Sequence, residues 1–398
     1  MKILYFVLAI LSILLSACGK ATTPALTPAA AQTASPTSSP APAFTATPVF
    51  IATSAPLPTG AVTPLPTLVY PPEGYGPLSF PAGVDPLTGL TVANQALLKR
   101  RPLLVKVTNL PRDVRPQWGL SLADIVFEYY TEEGGTRFAA IFYGSEASLV
   151  GPIRSGRFID AYLVDGYKAI FAFGGAYVAE MDSFMKSDFA NRMVVEESYT
   201  PLKRYDPNGF NYLVVNTADL TAYATKRSLN SFQDLTGMFF NLPAPAAGQP
   251  AAQIVVRYSG ATYSRWDYDP ASGKYLRFSD AADVVAAGQV EQFAQLTDRL
   301  TKQPVTFDNV VILYVNNMLY SPGIYDIKLT GSGDAYAFRD GQAYPVKWQR
   351  AANAVVSLTN PDGGPFPFKP GSTCFEVIGL ASTLTQSAQA WRFTHQMP

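Results

Sequence analysis

Arginines and glutamates crowd into one stretch of this chain, from Arg112 to Arg157. Arg112, Arg115, Arg137, Arg154 and Arg157 are interleaved with Glu128, Glu132 and Glu133, and Gly134-Gly135 and Gly151-Pro152 punctuate the run. Only 15% of the 398 residues are charged, so this density inside an apolar strand pattern is where chemistry could be done. A guanidinium is always charged and offers a rigid fork of donors to a carboxylate or phosphate. A pair of carboxylates is what glycoside hydrolysis needs. Glu128 and Glu132 are the candidate catalytic acids. The candidate ligand-binding residues are Arg115, Arg137, Arg154 and Arg157, with Asn109 before them and Gly174-Gly175 after them. A Gly-Gly pair following a buried strand lets a ligand or another backbone approach closely.

The elements that must position these groups follow from periodicity. In a strand over 125–130, Ile125, Phe127 and Tyr129 face one way and Val126, Glu128 and Tyr130 the other. Glu128 then has apolar neighbours, and burial raises a carboxyl pKa unless an arginine answers it. Arg154 and Arg157, three apart on a loop entering a helix, are its expected partners. The favoured reading is an internal ion pair, because such networks perturb acids as readily as catalysis does. The other reading has both arginines facing a cleft beside Gly174-Gly175 and binding an anionic or sugar-rich ligand, with Glu128 or Glu132 as acid. Trp118 and Tyr129 could stack on sugar but more often serve as core.

Thr136 to Tyr143 completes a hairpin with 125–130 around Glu132-Glu133-Gly134-Gly135. Ser121 is expected to cap a short helix, with Asp124 closing a capping box. Residues 101–109 and 169–173 read as buried strands, and 157–167, 177–186 and 218–226 as helices. Residues 241–252, rich in Pro, Ala and Gly, read as a linker. Strands follow at 253–258, 261–268, 274–278, 310–315, 325–330, 335–339 and 344–348. The expected fold is therefore a mixed α/β (α+β) N-terminal domain with a mixed sheet over 78–242, then a β-rich domain over 253–385.

Composition narrows the function. Lys+Arg 30 balance Asp+Glu 30, so there is no electrostatic footprint for nucleic acid. His395 is the only histidine, which argues against His-based triads and multi-histidine zinc sites. With two cysteines, no metal site and no cofactor is expected, and Cys374 reads as a buried, inert thiol. Gly331-Ser332-Gly333-Asp334 reads as a turn, since no P-loop lysine follows it.

The N-terminus gives an address. Lys2 precedes a thirteen-residue apolar run from Ile3 to Leu15, too short for a spanning helix and suited to a signal peptide over 1–18. Leu15-Ser16-Ala17-Cys18 resembles the lipobox of bacterial lipoproteins, which implies cleavage before Cys18 and a lipid on its sulfur. Residues 19–77 are Ala, Thr, Ser and Pro with almost no charge, a composition that reads as a disordered tether.

Arg101-Pro102, Asn109, RPQWGLSLADIVFE, EEGGTRF and VGPIRSGR resemble the YerB-like bacterial lipoproteins, as do YSRWDYDPASGKYLRF, DNVVILYV and Gly331-Ser332-Gly333. The likeness spans roughly Asp85 to Leu380. It implies a domain of unknown function followed by a smaller C-terminal domain, on a cell-surface lipoprotein near the wall-synthesis machinery. Members of that family often carry a histidine before the Gly-Gly, where Phe173 stands here, and a His-Asn pair where this chain has Phe210-Asn211. The expected function is an extracytoplasmic, lipid-anchored binding or scaffold protein. Its expected partners are the membrane, through the lipid on Cys18, and peptidoglycan or envelope proteins. A peptidoglycan-active glycoside hydrolase or lytic transglycosylase using one of the glutamates is the alternative. A solute-binding lipoprotein is a further one, disfavoured because two similar βαβ lobes are missing from the pattern.

Overall fold

The computed structural model describes residues 70–206, 212–284 and 288–397. The signal segment, the lipidation site Cys18, most of the tether and Phe210-Asn211 lie outside the described residues.

Ile125–Tyr130 pairs antiparallel with Thr136–Phe142 as the expected hairpin, with Ile125 opposite Ile141 and Tyr130 opposite Thr136. Thr136–Phe142 is followed in the sheet by Leu103–Thr108. On the other side of Ile125–Tyr130 the neighbour is Thr373–Gly379, parallel to it, and beyond that Asn309–Val315, Gly331–Arg339 and Gln342–Arg350. Strands from both halves of the sequence thus build one fourteen-stranded sheet. Thr373–Gly379, distant in sequence, is the strand that joins them.

Alternation along these strands produces two cores. Ile125, Phe127 and Tyr129 face a layer formed with the helix Phe158–Tyr167, through Ile159, Leu163, Val164 and Tyr167. Val126, Phe138 and Ala140 face the opposite way, against Trp266, Tyr275, Trp391 and Phe393 of a second, seven-stranded sheet. That sheet holds Gln253–Arg257, Tyr263–Asp269, Lys274–Asp280 and Ala390–Thr394. The layers are helices and loops, the large sheet, and the smaller sheet.

The expected helices are present as Phe158–Tyr167, Val178–Met185 and Thr217–Lys226. Strands nevertheless dominate the first half as well, so the α/β expectation overstated its helical share; short pairings such as Met193–Val194 and Lys203–Arg204 carry no readable period. The capping box at Ser121 does not form. Gly119 precedes a single 3-10 turn, and Asp124 instead accepts backbone bonds from Tyr143 (2.5 Å) and Gly144 (3.0 Å). Gly331 to Asp334 is not a turn but the start of a nine-residue strand, paired with 347–350. Residues 70–77, placed in the tether by composition, are built into the fold. Tyr75 exchanges both backbone hydrogen bonds with Phe240, at 2.8 and 2.9 Å.

Candidate functional site

Consecutive residues of one strand reach opposite layers. Glu128 points into the smaller-sheet side and is fully buried. In the parallel register it stands directly opposite Glu376, also fully buried, and like charges so placed repel. Arg277, from Lys274–Asp280 of the second sheet, answers both: 2.6 Å to Glu128 Oε2 and 3.1 Å to Glu376 Oε1. Its guanidinium lies between the rings of Phe138 and Trp266, at 5.0 and 4.9 Å. Thr136 Oγ1 (2.6 Å) and Asn109 Nδ2 (3.0 Å) donate to Glu128, while Trp266 Nε1 (2.8 Å) and Tyr258 OH (2.9 Å) donate to Glu376. Burial, which outweighs Arg277, pushes the Glu128 carboxyl up to about 7, with Glu376 adding to the rise. The ion pair foreseen for Glu128 therefore exists, but its partner is Arg277 rather than Arg154 or Arg157. The missed signal was phase: Arg277 shares the buried face of its strand with Tyr275 and Ser279.

Tyr129 points the other way, to a second buried network. Its hydroxyl is hydrogen-bonded to Lys106 Nζ and Asp160 Oδ1, and Lys106 is 3.1 Å from Asp160 Oδ2. All three are fully buried. Burial lowers Lys106 to about 7 against the pull of Asp160, and burial raises Asp160 against the pull of Lys106. Asp160 Oδ2 also accepts the Arg157 backbone N–H at 2.6 Å, closing the start of the Phe158 helix. This lysine was not singled out from the sequence, where it sits as one cation in an apolar strand.

The Arg157 side chain leaves that helix start for the surface and is hydrogen-bonded to Glu132 through Nε (2.8 Å) and through Nη2. Arg137 Nη2 reaches the same carboxylate at 2.6 Å, while its Nη1 donates to the Ser155 carbonyl at 3.0 Å. Behind Arg157, at 3.6 Å, lies the buried carboxylate of Glu180. Glu132 is 30% exposed. Burial alone would raise its carboxyl, but Arg137 and Arg157 together hold it below the ordinary value.

Glu132, Arg137 and Arg154 line a cleft of about 340 Å³ that also takes Arg112 and Glu133, and Ala261 and Asp283 from the second half. Gly174 and Gly175 hold the arginine turn by backbone bonds, Gly174 N–H to Arg154 O (2.9 Å) and Gly156 N–H to Gly175 O (2.8 Å). A side chain at Gly175 would meet only open space. The hairpin tip is fixed from the other half: Ser259 Oγ donates to Gly134 O at 2.7 Å, and a Cβ at Gly134 would come within 2.9 Å of that oxygen. Arg115 and Asn109 are elsewhere. Arg115 forks onto Asp280 (3.0 and 3.1 Å) and donates to Asn109, tying the halves together. Trp118 carries Arg299 over its ring at 4.1 Å, and Tyr129 is core. Among the described residues, no three His, Cys, Asp or Glu side chains group as a metal site.

Two family models match, the N-terminal domain of a protein of unknown function (DUF3048) over residues 87–230 and the DUF3048 C-terminal domain over 254–374. The chain belongs to the DUF3048 family. YerB of Bacillus subtilis (strain 168), a protein given the name of a lipoprotein, is 28% identical over 305 residues, which are 74% of this chain and 85% of YerB. The crystal structure of YerB from Bacillus subtilis superposes with a TM-score of 0.61 at 26% identity, covering 74% of this chain and 96% of that one. In this DUF3048 protein the cleft takes residues from both matched regions, with Arg154 and Glu132 from the first and Ala261 and Asp283 from the second.

Proposed function

We propose that this chain is a lipid-anchored, extracytoplasmic binding protein of the cell envelope, and that the cleft between its halves is the ligand site. The observation that carries the binding reading is the set of arginines fixed around Glu132. Arg137, on the cleft, is held by Glu132 and the Ser155 carbonyl, and Arg157, off the cleft lining, holds Glu132 in turn, so the charged wall is positioned before any ligand arrives. The anchoring reading rests on Met1 to Cys18 and on the name that YerB carries. Binding suits the glutamates better than acid catalysis. A general acid needs a raised pKa in an open site, whereas Glu132 is lowered and Glu128, though raised, is sealed behind Asn109 and Thr136. Peptidoglycan or envelope proteins are the partners this site would meet.

Full-length protein tests both halves. Cys18→Ser should leave the membrane fraction or stay unprocessed, and unchanged fractionation with unchanged mass would overturn the anchor. Arg154→Gln should lose co-sedimentation with purified cell wall while its melting temperature stays near that of the wild type. Undiminished wall binding by this variant would overturn the cleft reading.

A further inference from the structure

We propose that Thr383–Ser387, an outer strand of the smaller sheet, is a pairing surface for a second copy of this chain, the two strands running antiparallel about a two-fold axis at Thr385. None of its residues lines the cleft described above.

An open sheet edge is a template for another strand, and proteins ordinarily guard it with shortness, charge or proline. Three of the four outer strands of the two large sheets are guarded in this way. Gln249–Pro250 is two residues long and carries a proline, Lys203–Arg204 is two exposed cations, and Phe293–Gln295 is three residues long. Thr383–Ser387 is five residues long and holds no proline, and no charged residue lies between Glu376 and Arg392. Among the described residues no strand pairs with its outer side. Thr383, Thr385, Gln386 and Ser387 are exposed.

Register fixes which backbone groups are free. Ala390–Thr394 lies between Gln253–Arg257 and Thr383–Ser387. Gln389 O accepts from Gln253 N–H (3.1 Å) and His395 N–H donates to Arg257 O (2.8 Å), so positions 389, 391, 393 and 395 turn their backbone groups toward Gln253–Arg257. Arg392 and its alternate neighbours are left for the outer strand, where Ala390, Arg392 and Thr394 stand opposite Ser387, Thr385 and Thr383. Those three are satisfied within the chain, and Leu384 and Gln386 aim N–H and C=O outward. Two copies set antiparallel with Thr385 opposite Thr385 bring Leu384 of each against Gln386 of the other. Every free group then pairs, through two hydrogen bonds at each of the two Leu384–Gln386 contacts. A two-residue slip would set Gln386 against Ser382, whose N–H is already given to Gly379 O (3.0 Å), or Leu384 against Ala388 in the turn. The uncharged edge sets no like charge against its own copy, and a net charge of zero does not hold two copies apart.

Sedimentation equilibrium on the full chain, in density-matched detergent, tests the pairing. The wild type should show a reversible monomer–dimer equilibrium. Gln386→Pro removes an N–H that no strand of the same chain accepts, so the monomer should keep its melting temperature while dimerisation weakens by about tenfold or more. Thr385→Lys and Thr385→Glu each set like charges face to face and should be monomeric, and an equimolar mixture of the two should recover the dimer. A wild type that stays monomeric would overturn the proposal, as would a dimer that persists in Gln386→Pro or fails to return in the mixture. A monomer that captures an uncharged extended peptide, and loses it in Gln386→Pro, would overturn self-pairing and make the edge a receptor for foreign strands.

Discussion

Glu128 and Glu376 face each other across parallel strands, with Arg277 set against both. Burial, which Arg277 offsets only in part and to which the charge of Glu376 adds, raises the Glu128 carboxyl to about 7. Its folded value lies above the ordinary 4.5, so the fold keeps a proton that the unfolded chain releases. The stability this group contributes is complete below pH 4.5 and is lost as the pH climbs through 7, by about 3 kcal/mol. Urea midpoints of the wild type and Glu128→Gln between pH 4.5 and 7.5 should diverge accordingly. His395, lowered to about 4 by burial, acts in the opposite sense between pH 6.5 and 4, but it is common to both proteins and cancels in the difference. Arg277→Met, which leaves both carboxylates without their cation, should cost about 3–5 kcal/mol. A midpoint matching wild type would mean that the acids are protonated together and need no arginine. Much at this scale was open to reading: the alternation that separates Glu128 from Tyr129 is plain in IVFEYY. The identity of the partner was not, because Arg277 lies 149 positions away and its strand carries apolar residues on both faces.

At the scale of elements, the Phe158 helix is joined to the sheet by Lys106, Tyr129 and Asp160 rather than by apolar contact alone. Asp160 both receives the lysine and caps the helix through the Arg157 N–H, so the buried network and the Glu132 clasp share one turn of backbone. Lys106→Met should destabilise by about 3–5 kcal/mol, because an uncompensated Asp160 remains. Lys106→Met with Asp160→Asn should recover part of that loss, as removing both charges is far less costly than removing one. Guanidinium unfolding of the single and double variants would show it, and a double variant no better than the single one would refute the coupling. The hairpin and the three helices could be located from period and turn residues. The failed capping box at Ser121 could not be foreseen, because Asp124 is drawn off by backbone donors at Tyr143 and Gly144, a tertiary competition.

For the whole molecule, the shared sheet implies cooperative behaviour. Ile125–Tyr130 has Thr136–Phe142 on one side and Thr373–Gly379 on the other, so separating the halves would bare a fully buried strand edge. Calorimetric unfolding should show one transition for the described residues, with coincident near- and far-UV signals. Two resolved transitions would contradict this. Sequence composition marks 241–252 as a break in pattern and cannot reveal that the chain crosses it back and forth in space, since register between distant strands leaves no local trace. The placement of Thr373–Gly379 also sets an order on biogenesis. A chain made from its N-terminus has Leu103–Thr108, Ile125–Tyr130 and Thr136–Phe142 early, gains Asn309–Val315, Gly331–Arg339 and Gln342–Arg350 much later, and gains the joining strand Thr373–Gly379 later still. The edge of Ile125–Tyr130 that Thr373–Gly379 covers therefore stays open from the time it is made until that late strand arrives.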